Sequence, residues 1–360
     1  MTGARGCRQL HLSQYIPHIY LGVTVHNILK WTPFVDTLIK KIRDRFYQLS
    51  AVFGNDQLSR ETRLKIYRTY IVPIFRYGMA VAFPEDAQSQ KLERLQLKLL
   101  KTILGSSPRA TTAAVLSDTR VRDVALVLDE VKLQFIGRVL CLPKERLVRS
   151  LMENALKQTK KGSYGWRIKE RLRMYDLQDK FQCLVEGSIT QDKWRQEVAA
   201  AFSAYHLHKL KESVNGAVKI NDVVKTSVSH LYLNVAPKYA SFLFRLRAGD
   251  LELAIETGRH KGLARGERTC PLCEGGEVED AVHFCLRCPR LAAARHALFT
   301  AVEAVVEPWS VEFGRWCKSL GHSVTFKGES AETVLLRHLM GEPMEGMPRE
   351  MQSVVISRMA

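Results

Sequence analysis

The sequence predicts a mainly α protein with a short N-terminal β element and a small metal-binding module toward its C-terminal end. Three observations carry this. Apolar residues recur at intervals of three and four along most of the chain. Alternating strand patterns are confined to its beginning. Four cysteines and a histidine fall within the nineteen residues from Cys270 to Cys288.

Residues 15–31 read YIPHIYLGVTVHNILKW, in which Ile19, Leu21, Val23 and Val25 alternate with other residues before a polar His26-Asn27 pair. One short strand and a turn are expected there. From Phe34 to Phe53, Leu38, Ile39, Ile42, Phe46 and Leu49 follow a helical period that ends at Gly54. Beyond Ser59, Leu64, Tyr67, Ile71 and Ile74 continue a second helix. Thr62 stands where a full capping box would have Glu, and Pro73 should kink or end the helix. Residues 91–104 (KLERLQLKLLKTIL) turn Leu92, Leu95, Leu99 and Ile103 inward, and Gly105-Ser106-Ser107-Pro108 stops them. Another helix is expected from about Val121 to Leu140, before Pro143. Lys160 to Gly165 (KKGSYG) has linker composition. Residues 166–215 are again helical in pattern, with Trp166, Leu172, Tyr175, Trp194 and Val198 as core. The expected divisions are 1–33, 34–160, 161–240, 241–305 and 306–360.

With 360 residues, 46% of them apolar, the chain can bury a core, and its net charge of +17 points to a polyanionic partner: nucleic acid, or an anionic membrane surface. That balance excludes an acidic tail or a disordered chain. Two clusters stand out, residues 38–76 at net +6 and 144–173 at net +7. No run approaches the roughly 18–20 apolar residues of a spanning helix, and the first thirty residues carry charge where a secretory signal would be apolar. An intracellular protein of the nucleus or cytoplasm, without a membrane partner, is the expectation.

Cys7, Cys141, Cys183 and Cys317 are scattered, whereas CPLCEGGEVEDAVHFCLRC has metal-ligand spacing. With Cys270, Cys273, His283 and Cys288 as ligands it reads C-x2-C-x9-H-x4-C. Three thiolates and one imidazole complete a tetrahedral Zn2+ site with no open position, which is structural rather than catalytic. Pro271 and the Gly275-Gly276 pair suit the turn that must aim two sulfurs at one ion. Cys285 competes for the fourth position, but two residues from His283 it would need a short loop to point alternate groups at one ion, which favours Cys288.

YLGVTVHNILKW, followed by FVDTLIKKIRDRFYQLSAVFGNDQLSRETRLKIYRTYIVPIFRYGMAVAF, resembles the end of the reverse transcriptase domain of non-LTR (LINE-type) retrotransposons. The run RLRAGDLELAIETGRHKGLARGERTCPLC…EVEDAVHFCLRCPRL resembles the C-terminal zinc-binding domain of the same polyproteins. Together they cover about 15–300. The resemblance implies that Tyr20, Leu21 and Gly22 belong to the strand that holds the primer end, and that the helices from Phe34 to Leu104 form a thumb gripping the template–primer duplex. It further implies a helical connector, and Cys270, Cys273, His283 and Cys288 as CCHC ligands.

The family's polymerases carry an Asp pair upstream of YLGV and another Asp earlier, which hold the two Mg2+ ions of nucleotidyl transfer. Here no acidic residue precedes Tyr20 and no adjacent Asp-Asp occurs. The chain as written is therefore expected to lack a catalytic centre and to bind RNA or DNA as a remnant of the polyprotein. Two alternatives are a host-recruited zinc adaptor for proteins, and the C-terminal fragment of an active polymerase. Expected phosphate contacts are Lys40, Lys41, Arg43, Arg45, Arg63, Lys65 and Arg68 on the thumb helices, and Arg259, Lys261 and Arg265 on the approach to Cys270. Phe284 is a candidate for stacking on a base or for packing under the metal site. Without a palm to pack on, residues 15–31 are expected to self-associate.

Overall fold

A computed structural model describes residues 18–25, 30–216, 231–306, 325–326 and 329–340, and over these the protein is mainly helical, as its periodicity predicts. Strands β1 (His18–Tyr20) and β2 (Val23–Val25) lead into α1 (Thr32–Gln48), α2 (Ser50–Gly54), α3 (Arg60–Tyr70), α4 (Val72–Arg76) and α5 (Asp86–Leu104). Then come α6 (Thr112–Thr119), α7 (Val124–Leu140), α8 (Leu147–Lys157), α9 (Tyr164–Met174), α10 (Gln178–Glu186) and α11 (Gln191–Asn215). The C-terminal part holds α12 (Pro237–Arg247), α13 (Ala254–His260), α14 (Ala292–Val306), a second two-stranded sheet of β3 (Thr325–Phe326) and β4 (Glu329–Ser330), and α15 (Ala331–Leu339). Among the described residues no helix is long and apolar enough to cross a membrane.

The chain forms two compact units that interleave in sequence. One contains the described residues of Met1–Gln48, Tyr70–Gln96 and Asp123–Ser203, the other those of Leu49–Thr69, Leu97–Arg122 and Ala204–Ala360. Helices α5 and α11 pass from one to the other without a break. The KKGSYG segment joins α8 to α9 inside the first unit. Composition marked this turn because it is polar and glycine-containing, which any tight connection between packed helices also requires.

In the first unit the N-terminal residues form a hairpin rather than the single strand expected. β1 and β2 pair antiparallel with Ile19 opposite Thr24. The turn is Leu21-Gly22, both at positive φ (46° and 76°), the conformation that matches the twist of a two-residue hairpin loop. The expected turn at His26-Asn27 lies outside the described residues. Phe34, Val35, Leu38 and Ile42 of α1 are buried, and β2 packs on this helix. Gly78, at φ 73°, lets Phe34 and Val23 approach so closely that an added Cβ would lie 2.6 Å from Phe34 Cζ. Pro73 sits in the first turn of α4, where its missing N–H costs nothing, so it separates α3 from α4.

Asp123 caps α7 by accepting the Leu126 N–H at 2.8 Å. Trp194 of α11 is fully buried against α7, its Nε1 donating to the Leu133 carbonyl at 2.9 Å. Gly137 makes this possible, since a Cβ there would lie 2.0 Å from Trp194 Cδ1. Leu172, Tyr175 and Val198 are buried as expected, whereas Trp166 is only half-buried.

Lys132 of α7 is also buried, with Nζ 3.3 Å from the Leu128 carbonyl and 5.0 Å above the Phe83 ring. Desolvation lowers its pKa from 10.5 to about 8, against the opposing pull of Asp129. Between those values the unfolded chain binds the proton more readily than the folded one, so stability should rise with pH across this window. Lys132→Met should abolish that rise and, at neutral pH, stabilise the first unit by on the order of 2 kcal/mol. Urea titrations at about pH 7 and about pH 10 check both effects.

The second unit contains a helix that periodicity did not reveal. In α6 every residue from Ala114 to Thr119 is buried, so it presents no amphipathic stripe. Its start is capped by Thr111, whose hydroxyl oxygen accepts the Ala114 N–H at 3.4 Å. Asp118 near its end meets Arg247 of α12 in a buried pair, Nε to Oδ2 2.9 Å and the second guanidinium nitrogen to Oδ1 3.2 Å. Tyr232 donates its hydroxyl to the same carboxylate, and Arg247 also donates to the Met340 carbonyl at 2.8 Å. Asp250 accepts the Ser107 N–H at 2.9 Å, tying the end of α12 to the stop signal after α5.

Candidate metal centre

The segment from Arg268 to Cys288 folds as a turn of chain closed by a short helical turn. Cys270 N–H donates to the Glu277 carbonyl and Glu279 N–H to the Arg268 carbonyl, both at 2.9 Å, bracketing the bridge of Thr269 to Val278. This narrow loop brings Cys270 and Cys273 to one side, and Gly276, at φ 67°, supplies the reversal that an ordinary side chain would oppose. Residues His283–Arg287 form a π-helical turn, opened by Asp280, which accepts the His283 N–H at 2.9 Å. It is closed by Cys288 N–H donating to the His283 carbonyl at 2.7 Å.

The loop and the turn bring Cys270, Cys273, His283 and Cys288 together, their donor atoms all within 4.8 Å of one another. Cys270 Sγ lies 3.9 Å from Cys288 Sγ, and Cys273 Sγ 3.4 Å from His283 Nε2. A tetrahedral ion held by sulfur at about 2.3 Å and by nitrogen at about 2.0 Å has S···S edges of about 3.8 Å and S···N edges of about 3.5 Å. The four residues fit such an ion and could hold one. Cys270, His283 and Cys288 are buried and Cys273 half-buried, which leaves little of the centre open to solvent.

Two carboxylates position the donors. Glu277 accepts from His283 Nδ1 at 2.9 Å, which fixes the tautomer and leaves the Nε2 lone pair facing the sulfurs. Desolvation pulls the imidazole pKa down, but the Glu277 and Cys270 contacts outweigh it and hold the group above its ordinary value. Buried Glu279 accepts the Ala254 N–H at 2.6 Å and offers its backbone carbonyl to Ile255 N–H at 3.1 Å. Arg268 donates to the Ile255 carbonyl at 3.1 Å, and Gly258 packs directly on its side chain. Helix α13 is thereby part of the metal module. Neither Glu277 nor Glu279 was a sequence candidate; the only available signal was acidic residues between two ligand pairs, which a solvated loop also shows.

Cys285 is not in the cluster, and burial pushes its thiol up to about 12. Phe284 is half-buried on the same turn. Cys7 and Cys317 lie outside the described residues.

The expected phosphate contacts divide. Lys40, Lys41, Arg43 and Arg45 of α1, Lys65 of α3, and Lys261 and Arg265 beside the metal module are exposed, with Arg265 3.7 Å from Asp280. Arg63 is not available for such a contact. It is buried, and its guanidinium donates to the carbonyls of Asn55 at 2.7 Å and Leu58 at 3.2 Å, fastening the turn between α2 and α3. Sequence gave no warning, because helical spacing does not say which charged face a neighbouring loop covers. Arg68 is half-buried and bonded to the Thr119 carbonyl and Glu61, and Arg259 is half-buried beside Glu256.

Comparison with protein-family models, with curated proteins and with solved structures finds no match to this chain.

Proposed function

We propose that this protein binds RNA or DNA through phosphate contacts, that a structural Zn2+ orders its C-terminal module, and that it corresponds to the thumb and zinc-binding end of a non-LTR retrotransposon polyprotein. The observation that carries the metal part of the proposal is the convergence of three sulfurs and one imidazole nitrogen. Soft thiolates with an imidazole select Zn2+ over hard, oxygen-preferring ions, and four protein ligands leave no position for a substrate. The role is therefore to hold a fold together.

The polyanion part rests on a net charge of +17 and on the exposed cations of α1, α3 and the metal module. Such contacts position a strand without reading its sequence. The retroelement part rests on the order and content of the motifs, with YLGV and the thumb-like helices preceding the CCHC segment. The activity proposed for these residues is binding.

Fluorescence anisotropy with labelled single-stranded RNA and duplex DNA tests the partner. Affinity is expected to fall by about a thousandfold between about 50 and about 200 mM salt, as counterions released by several phosphate contacts dictate. Weak binding that ignores salt would reject the nucleic-acid reading and favour a protein adaptor.

A further inference from the structure

Helix α8 is an anomaly in a protein proposed to bind phosphates. Its apolar residues Leu147, Val148, Leu151, Met152, Ala155 and Leu156 span a broad arc, which on an ordinary amphipathic helix would face the core. None of its eleven residues is buried. Only part of the arc is used: Met152, Ala155 and Leu156 are half-buried where α8 packs with α7 and α9. Leu147, Val148 and Leu151 face solvent at 73%, 43% and 58% exposure. Their spacing of one and four places them side by side on one turn-and-a-half of helix.

Both ends of this strip are basic and exposed. Lys144 and Arg146 precede it, and Lys157, Lys160 and Lys161 follow it. Two acids stand among them: Glu145, which is exposed, and Glu153, which is paired with Arg149 at 2.8 Å.

We propose that α8 docks on an anionic lipid bilayer, with Leu147, Val148 and Leu151 entering the headgroup boundary and the flanking lysines and arginine meeting acidic headgroups. Charge decides against the other occupants. A second copy of the helix, in either direction, would set basic ends against basic ends. Nucleic acid satisfies the cations but gives aliphatic side chains no apolar environment, so the strip would lose its water without gain. A protein that wraps a basic amphipathic helix needs more of its circumference than the face left free by α7 and α9. A bilayer needs only one convex face, and combines apolar burial with attraction of each basic residue to an anionic surface. No spanning segment is implied, so the absence of a long apolar helix among the described residues is compatible with this mode of contact.

The test uses the full chain, zinc-loaded, in sedimentation with vesicles of phosphatidylcholine alone and of phosphatidylcholine with about 30% phosphatidylserine. Binding is expected only to the anionic vesicles. Leu147→Gln with Leu151→Gln leaves the charge unchanged and alters two residues already in water, so the fold, checked by circular dichroism, should persist. This double variant should bind vesicles at least about tenfold more weakly, through lost apolar burial, while binding RNA as the native chain does. Equal vesicle binding by both proteins would overturn the proposal and leave diffuse charge attraction as the cause. A native chain that stays in the supernatant would also overturn it, and an acidic protein would then be the occupant to pursue. A native chain that sediments with the anionic vesicles but does not bind RNA would reject the nucleic-acid reading alone.

Discussion

Chelation of the metal is expected to unfold the C-terminal module and to leave the first unit folded. The physical reason is the small size of the module. From Arg268 to Cys288 the chain has one isolated β-bridge, a π-turn and few buried side chains, chiefly Ala281, Leu286 and the ligands themselves. So little apolar burial cannot offset the ordering of some twenty residues, each costing about 1–2 kcal/mol of backbone entropy. Structural Zn2+ in modules of this type contributes on the order of 10 kcal/mol, enough to decide between folded and unfolded. Native mass spectrometry should find one Zn2+ per chain. Hydrogen exchange after chelation should show lost protection from α13 through the π-turn, with α7 and α11 unchanged. Cys288→Ser should behave like the chelated protein, and Cys285→Ser like the native one. Glu277→Gln should weaken metal affinity by about 10–100-fold without abolishing it, because it removes only the carboxylate that orients His283. A chain that melts identically with and without chelator would end the metal reading.

Arg247→Met is expected to destabilise the second unit by about 3–5 kcal/mol, the usual effect of stranding a buried charge. Arg247 and Asp118 are both almost wholly buried, and the guanidinium makes two bonds to the carboxylate and one to Met340. Without it Asp118 keeps, among the described residues, only the Tyr232 hydroxyl, whose own pKa is already driven up by burial and by the neighbouring carboxylate. Replacing Arg247, Asp118 and Tyr232 together with Met, Leu and Phe should recover most of the loss, since no charge is then left unpaired. Exchange rates of the α6 and α12 amides, measured for the single and triple variants, check this. Equal protection in the native chain and in Arg247→Met would show that water reaches the pair.

Arg247 also shows where reading the chain stops being informative. In the sequence it is one more cation beside Arg245, near the basic approach to the cysteine cluster, and nothing local separates it from an exposed charge. Its partner lies on α6, a helix hidden from periodicity because it is buried on nearly all sides. The same holds for Arg63, whose carbonyl partners belong to a loop that folds back over α3. By contrast Leu92, Leu95, Leu99 and Ile103 are all buried as their spacing requires, because one amphipathic helix settles its inward face from local pattern alone.

By itself the sequence determined the helical class, most of the helices and three of the four donors, and spacing favoured Cys288 over Cys285 for the fourth, because periodicity and metal-ligand spacing are local properties of the chain. Tertiary structure alone decided that the two units interleave, that Glu277 sets the tautomer of His283 and that Arg63 and Arg247 are interior. Each of these depends on which distant segment covers a given face, and burial of that kind is a property of the packed molecule rather than of any stretch of residues.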